Sequence, residues 1–554
     1  MSEGPTVFQR RIVIGAFLCV AAFALVGIRL VHVTLLKSWE SGRAAAALSA
    51  RADLTDRNGE LLARDLPVKD LYARPRVFWD KREAARDLAR VTGASQSRLL
   101  NGFNNAKSPY VLVARQISPD IEAKVMSLGL PGLEFELGGK RYYPNGRSAA
   151  QLVGVTDPDG KGVSGLELGL QDALRDTGGG KVATSIDNRV QFIVGDELAK
   201  ARAKFRAHAA GAIVMDVNSG EILAMVSLPD FDPNLRRLLK GDSQRNIMAQ
   251  DIYELGSIFK IFTFTLALED RTVREDELFA IPAGFKVGKH KINEAHHMPS
   301  FMAARDVLAQ SSNIGTSQIA LRSGGERQRA FLRTMGLLTP LTTDLPEKAY
   351  PLYPRKQWGA IETATVGFGH GISVSPLSFT AALAAVVNGG RRITPTFVRQ
   401  EPDTDRRGEQ VITPQTSEKM RALLRYVVTD GTGRSAEAIG YDVGGKTGSA
   451  EMPGPRGGYI RNALRTSFAA VFPVHNPRYA VMVLMDQPKP TKDTFGFATA
   501  GYTAAPQAGR IIQRIAPLLG VPNNAPPIPL MPTQLAATQV AVTQVAATQA
   551  ASGE

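Results

Sequence analysis

Residues Ile12 to Ile28 form an uncharged apolar run, closed by Arg10-Arg11 on one side and Arg29 on the other. Such a run must be buried in protein or in lipid, and it sits at the short end of what a helix needs to cross a bilayer. Leu30, Val31 and Val33 extend it if Arg29 turns its guanidinium out to the interface. A cleaved export signal would place a small-residue site straight after the apolar stretch. Here Arg29-Leu30-Val31-His32-Val33 follows, and the alanine cluster at Ala44 comes too late. The expectation is an uncleaved membrane anchor over 12–33, with 1–11 as a cytoplasmic tail because the arginine pair favours an inside N-terminus. The remainder of the chain then lies outside the cytoplasmic (inner) membrane, in the periplasm.

The 554 residues exceed what one compact unit holds, so two or three domains are expected. The only cysteine is Cys19, inside the apolar run, which excludes an intrachain disulfide. A net charge of +14 suits an anionic polymer or a membrane surface. A nucleic-acid partner is not expected, because there is no dense basic block, zinc spacing or interleaved aromatic motif.

The chain divides by composition. Lys37 to Leu48 has helical spacing and reads as a stalk. Asn58-Gly59 between apolar flanks is a hairpin signal within Asp53–Ala63. Short strands and helices follow, with structured loops at Arg141–Gly146 and Gly160–Glu167, and Gly178-Gly179-Gly180 reads as a hinge. The unit 34–180 is therefore an elongated mixed α/β module. Beyond it, Asp187 can cap a helix with Val190, Ile193, Val194, Leu198 and Ala201 on one face. Ala212–Val217 and Glu221–Ser227 form a hairpin around Asn218-Ser219-Gly220. Ser375-Pro376 starts a helix that Gly389-Gly390 ends, and strand-like runs recur at 442–444, 467–472 and 479–485. The unit 181–520 is expected to be α+β, an antiparallel sheet flanked by helices. Residues 521–554 carry Pro526, Pro527, Pro529 and Pro532, then Thr-Gln every five residues, a low-complexity tail expected to be disordered.

Three short patterns carry chemistry. In Tyr253–Lys260, Ser257 and Lys260 stand at i and i+3 and share one face of a helix expected over 258–268. An uncharged lysine amine can take a serine proton, provided burial or nearby positive charge lowers its pKa. The helix N-terminus adds backbone N–H groups for an oxyanion. Ser311-Ser312-Asn313 follows where the chain turns after a helical Met302–Ala309, and Lys446-Thr447-Gly448-Ser449 lies on an extended, glycine-flanked segment that reads as an edge strand. Each alone is commonplace. Their order, with separations of 54 and 135 residues, is not.

The set Ser257-x-x-Lys260, Ser311-x-Asn313 and Lys446-Thr447-Gly448 resembles the active-site boxes of penicillin-binding proteins and serine β-lactamases. Asp53–Ala63, Arg141–Gly146 and Gly165–Glu167 resemble signature loops of the non-catalytic, dimerisation-type pedestal of class B penicillin-binding proteins. Asp216–Asn234, Gly367–Pro376, Gly431–Gly433 and Gly444–Ala450 resemble signatures of the transpeptidase domain, so the likeness covers roughly residues 10 to 515. Three positions depart from the family pattern: Leu255 stands where proline is usual, Ser449 where threonine is commoner, and Ser375 in a Thr-Pro position.

The resemblance implies a serine D,D-transpeptidase acting on peptidoglycan stem peptides that end in D-Ala-D-Ala. Ser257 would attack the penultimate D-Ala carbonyl and expel the terminal D-Ala, leaving an acyl-enzyme. Lys260 would be the base, Lys446 would keep it deprotonated and attract the substrate carboxylate, and Ser311 would relay a proton to the leaving amine. Asn313 would orient Lys260 and bind the peptide. Thr447, Gly448 and Ser449 would bind the donor, and the backbone N–H groups of Ser257 and Ser449 would form the oxyanion hole. A neighbouring stem-peptide amine would then resolve the acyl-enzyme into a cross-link. β-Lactams would acylate the same serine. No metal or organic cofactor is expected, and His296, His297 and His370 read as structural.

A β-lactamase is disfavoured by the anchor and the long stretch ahead of Ser257. A carboxypeptidase or β-lactam sensor lacks the pedestal signatures, and a class A enzyme needs a glycosyltransferase domain for which 35–180 has the wrong motifs. The short pedestal, the anchor and Thr499–Pro506 resemble the cell-division branch, which implies a SEDS-family glycosyltransferase and other divisome membrane proteins as partners at the septum. An elongation-specific enzyme and a catalytically silent divisome scaffold are the alternatives.

Overall fold

The computed structural model describes residues 7–31, 51–105, 107–176, 180–235, 241–401, 406–454 and 458–524. The stalk, most of the triglycine and the Thr-Gln tail lie outside the described residues. Val7–Val31 is a helix. The anchor expected at 12–33 does not emerge from it as a complete span, since among the described residues no helix is long and apolar enough to cross a membrane. Its side chains are described over residues 15–29, which rise about 22 Å at the helical 1.5 Å per residue, against about 30 Å of hydrocarbon.

The first module is built on a five-stranded sheet. The strands β1 (Asp53–Thr55) and β2 (Leu61–Ala73) are joined through the Asn58-Gly59 turn, where Gly59 takes φ +90°. The long β2 also pairs antiparallel with β3 (Val111–Ile117) and β4 (Leu133–Tyr142). The strand β5 (Lys181–Ala183), just past the expected boundary, runs parallel to β1 and joins the sheet of the first module. Helices Lys81–Thr92 and Gln96–Asn104 bury Leu88, Leu99 and Phe103 against it.

Glu167 ties this module together. Its carboxylate is fully buried and accepts from Arg51 Nε at 2.6 Å and Arg141 Nε at 2.7 Å. The two signature loops around Arg141 and Glu167 thus meet at one ion-paired centre.

The second module has a five-stranded antiparallel sheet in the order β12-β13-β14-β6-β7. Here β6 is Ala209–Asp216, β7 Ile222–Leu228, β12 Gly444–Pro453, β13 Tyr459–Phe472 and β14 Tyr479–Asp486. Two ribbons lie apart from it: β8 (Leu278–Ala280) with β11 (Phe301–Ala303), and β9 (Phe285–Val287) with β10 (His290–Ile292). Every residue of β14 is buried, because helices cover both faces of the sheet. Alternate side chains go to opposite cores. Ala212, Val214 and Val483 pack with Val194 and Ile512 of helices Asn188–Lys204 and Ala504–Ile515. Ile213, Met215 and Met482 pack with Ile261 and Phe379 of helices Lys260–Glu269 and Pro376–Val387.

The caps read from the sequence are present. Asp187 accepts from Arg189 and Val190 N–H, and Ser375 from Ser378 N–H. The helix Lys260–Glu269 is buried on every side from Lys260 to Leu268, so it runs through the centre of the domain rather than over its surface. The helical Met302–Ala309 begins instead with β11, and the α-helix spans Ala304–Ala309.

Candidate active site

A cleft of about 450 Å³ opens where the sheet edge β12 meets the start of the central helix, and Ser257, Ser311, Asn313, Thr447 and Ser449 all line it. Ser311 and Thr447 reach it from different layers. The five come together despite spanning almost two hundred positions.

The turn that presents Ser257 is crowded. Gly256 has φ +58°, and a Cβ there would meet the Ser449 carbonyl oxygen at 2.9 Å. Gly369 has φ +87°, and its Cβ would fall 2.1 Å from the Gly256 carbonyl oxygen. Backbone from β12 and from the 367–371 loop thus presses on the serine turn, and only glycine fits at either contact. Ser257 stands on a 3-10 turn, Gly256–Phe259, rather than in the α-helix expected from 258, and the α-helix starts at Lys260. Leu255, where the family pattern has proline, is buried in the core with φ −90°.

Lys260 has no exposed surface. Its Nζ donates to the Ser311 carbonyl at 2.5 Å and to Asn313 Oδ1 at 2.8 Å, and lies 3.1 Å from Ser311 Oγ. Burial, reinforced by the positive charge of Lys446, holds the amine well below the usual lysine pKa, while Glu294 works the other way. The Ser311 carbonyl and hydroxyl oxygens and Asn313 Oδ1 all accept from the amine and together fix its position. Lys446 is also fully buried, with Nζ 3.1 Å from the Thr447 carbonyl, and burial pushes its pKa down to about 7.

The Ser-x-Asn turn owes its shape to two devices. Ser311 takes the left-handed φ of +65°, between the helices Ala304–Ala309 and Asn313–Ser323. The Glu294 carboxylate covers the N-terminus of the second helix, accepting from Asn313 N–H at 2.8 Å, Ile314 N–H at 3.0 Å and Ser312 Oγ at 2.5 Å. An anion at that position satisfies orphan donors and the helix dipole together.

On the opposite wall, the Thr447 and Thr432 hydroxyls are 2.7 Å apart, and Ser449 Oγ accepts from Ala500 N–H at 3.0 Å. Thr447 and Ser449 therefore face the cleft from a strand braced by the 431–433 and 499–502 segments. Arg434 adds a positive charge to the same wall.

Of the site residues expected from the sequence, Ser257, Ser311, Asn313, Thr447 and Ser449 line the cleft, whereas Lys260 and Lys446 are buried behind it and Gly448 is not among its lining residues. Sequence reasoning missed Glu294, Arg434 and the proximity of two histidines: His296 and His370, read as structural, both line the cleft. A glutamate nineteen positions ahead of the turn it caps leaves no local signal. Thr432 and Thr499–Tyr502 did stand in stretches singled out by resemblance, without roles.

Comparison with known proteins places the chain in a family. Residues 210–513 match the penicillin-binding protein transpeptidase domain, and residues 46–191 match the penicillin-binding protein dimerisation domain. The chain is 38% identical over 493 residues to the probable peptidoglycan D,D-transpeptidase FtsI of Caulobacter vibrioides, covering 87% of this chain and 83% of that one. Against peptidoglycan D,D-transpeptidase FtsI of Escherichia coli K12 it is 30% identical over 494 residues, with 83% of each chain covered. Penicillin-binding protein 3 of Mycobacterium tuberculosis, solved with aztreonam, superposes with a TM-score of 0.68 at 26% identity, covering 86% of this chain and 98% of that one. With a dimerisation domain ahead of a transpeptidase domain and the serine, lysine and asparagine groups assembled in one cleft, this chain belongs to the penicillin-binding protein transpeptidases of the FtsI-like class.

Proposed function

We propose that this protein is the peptidoglycan D,D-transpeptidase of septal wall synthesis, working through a serine acyl-enzyme that β-lactams trap. The observation that carries the reading is the buried Lys260 amine, wired to Ser311 and Asn313 one helical turn from Ser257. Lys260 takes the Ser257 proton as Oγ attacks the penultimate D-Ala carbonyl. The Ser257 and Ser449 N–H groups hold the oxyanion. The proton passes through Ser311 to the departing D-Ala amine, while Thr447, Ser449 and Arg434 hold the terminal carboxylate and Lys446 attracts it from behind the wall. An amine from a second stem peptide then displaces Ser257 and forms the cross-link.

The protein acts from the outer face of the cytoplasmic membrane, anchored by its N-terminal helix. Phe17, Leu18, Phe23, Leu25 and Ile28 of that helix are exposed, a surface suited to lipid or to a membrane partner such as a SEDS-family glycosyltransferase of the divisome. Labelling with a fluorescent penicillin tests the chemistry. Covalent label on the native chain and none on Ser257→Ala is expected, and an unlabelled native chain would mean a silent scaffold. Depletion in cells tests the septal role, with filamentation expected and rounding favouring wall elongation.

A further inference from the structure

His370 lines the cleft wall, and the donor half of the reaction leaves it unused. It follows Gly369, whose backbone is pressed against the Gly256 carbonyl, so the imidazole is carried on the segment that abuts the serine turn. Its ring lies between two aromatic rings, 5.2 Å from Phe368 and 5.4 Å from Tyr459 between centroids. Glu254, immediately before Leu255, braces the other side: Oε1 accepts from Gly371 N–H at 3.0 Å and Oε2 from the Tyr459 hydroxyl at 3.1 Å.

We propose that His370, with Glu254, Glu451 and the Tyr459 ring around it, is the subsite that receives the acceptor ammonium and takes its first proton. This rests on the transpeptidase reading above and concerns its second half. An acceptor amine of lysine type arrives charged at neutral pH and is not yet a nucleophile. Two carboxylates and an aromatic face attract such a cation. Glu254 beside the serine turn, Glu451 on β12 and Lys260 on the central helix are the charged groups whose fields reach His370. Burial, with a smaller push from Lys260, lowers the imidazole's pKa against the pull of the two glutamates, leaving it neutral and able to accept.

The step balances. The ammonium gives one proton to His370, and its nitrogen forms the C–N bond to the acyl carbon as the bond from that carbon to Ser257 Oγ breaks. The second amine proton passes through Lys260 to Ser257 Oγ, and His370 releases its proton to water.

The test uses the full-length protein in detergent with a thioester mimic of the D-Ala-D-Ala donor, and an acceptor peptide whose only amine is of the lysine side-chain type. His370→Gln is expected to lose more in aminolysis than in acylation by penicillin, its ratio of aminolysis to hydrolysis falling about tenfold or more at pH 7. The deficit should shrink as the pH rises past about 10.4, where more than half of the acceptor is deprotonated in solution. An unchanged ratio would overturn the proposal, as would equal losses in acylation and aminolysis. A native chain that penicillin does not acylate would instead sink the transpeptidase reading itself.

Discussion

Asn313 Oδ1 lies 2.8 Å from Lys260 Nζ, and it reaches that position because the helix it begins is capped by Glu294. The Lys260 amine is therefore oriented by an asparagine whose backbone N–H is held by a carboxylate from a separate loop. Four predictions follow from this and from neighbouring contacts.

Glu294→Gln removes the negative charge that raises the Lys260 pKa. The limb of penicillin acylation that rises with pH should move to lower pH, because the amine loses its proton more readily. The weakened helix cap should also cost about 0.5–2 kcal/mol in thermal unfolding. A limb that moves to higher pH would contradict the assignment.

Lys446→Met separates function from stability. The buried amine titrates at about 7 against an ordinary 10.5, so between those values the unfolded chain holds a proton that the folded one lacks. Its destabilising contribution is complete below about pH 7 and gone above 10.5. The variant should melt higher than the native chain at pH 7, the gain should fade toward pH 10, and acylation should drop about a hundredfold or more. Melting curves across pH and penicillin-labelling rates check both halves.

Gly369→Ala puts a Cβ 2.1 Å from the Gly256 carbonyl oxygen, at a backbone φ of +87°. The left-handed conformation alone costs about 1–3 kcal/mol, and the contact must push the serine turn away. Penicillin labelling should fall further than the melting temperature would suggest. Gly389→Ala, also at positive φ but with open space around it, is the control and should lose stability alone.

Glu167→Ala leaves the buried guanidinium groups of Arg51 and Arg141 without their shared carboxylate. Unpairing buried charges costs about 3–5 kcal/mol, read as a lower urea midpoint for the first module. Replacing Glu167 by glutamine, which keeps the shape and one acceptor, should lose less.

Much of the architecture was legible because its signals are local. The Asn58-Gly59 turn, the Asp187 and Ser375 caps and the β6–β7 hairpin each depend on residues within a few positions of one another, and each was found where spacing and turn chemistry put it. The exceptions are also local: Ser257 lies on a 3-10 turn because Gly256 at φ +58° bends the chain under β12, a constraint that no helical periodicity records.

By itself the sequence determined which groups the chain carries, a serine and a lysine three apart, a Ser-x-Asn turn and a Lys-Thr-Gly strand, in an order that marks a family. Only the tertiary structure decided what those groups can do. Burial lowers the pKa of both Lys260 and Lys446, since desolvation penalises a charged amine according to its whole surroundings. Glu294 and His370 enter the site through contacts between distant segments, where neither charge pattern nor periodicity in the sequence could point.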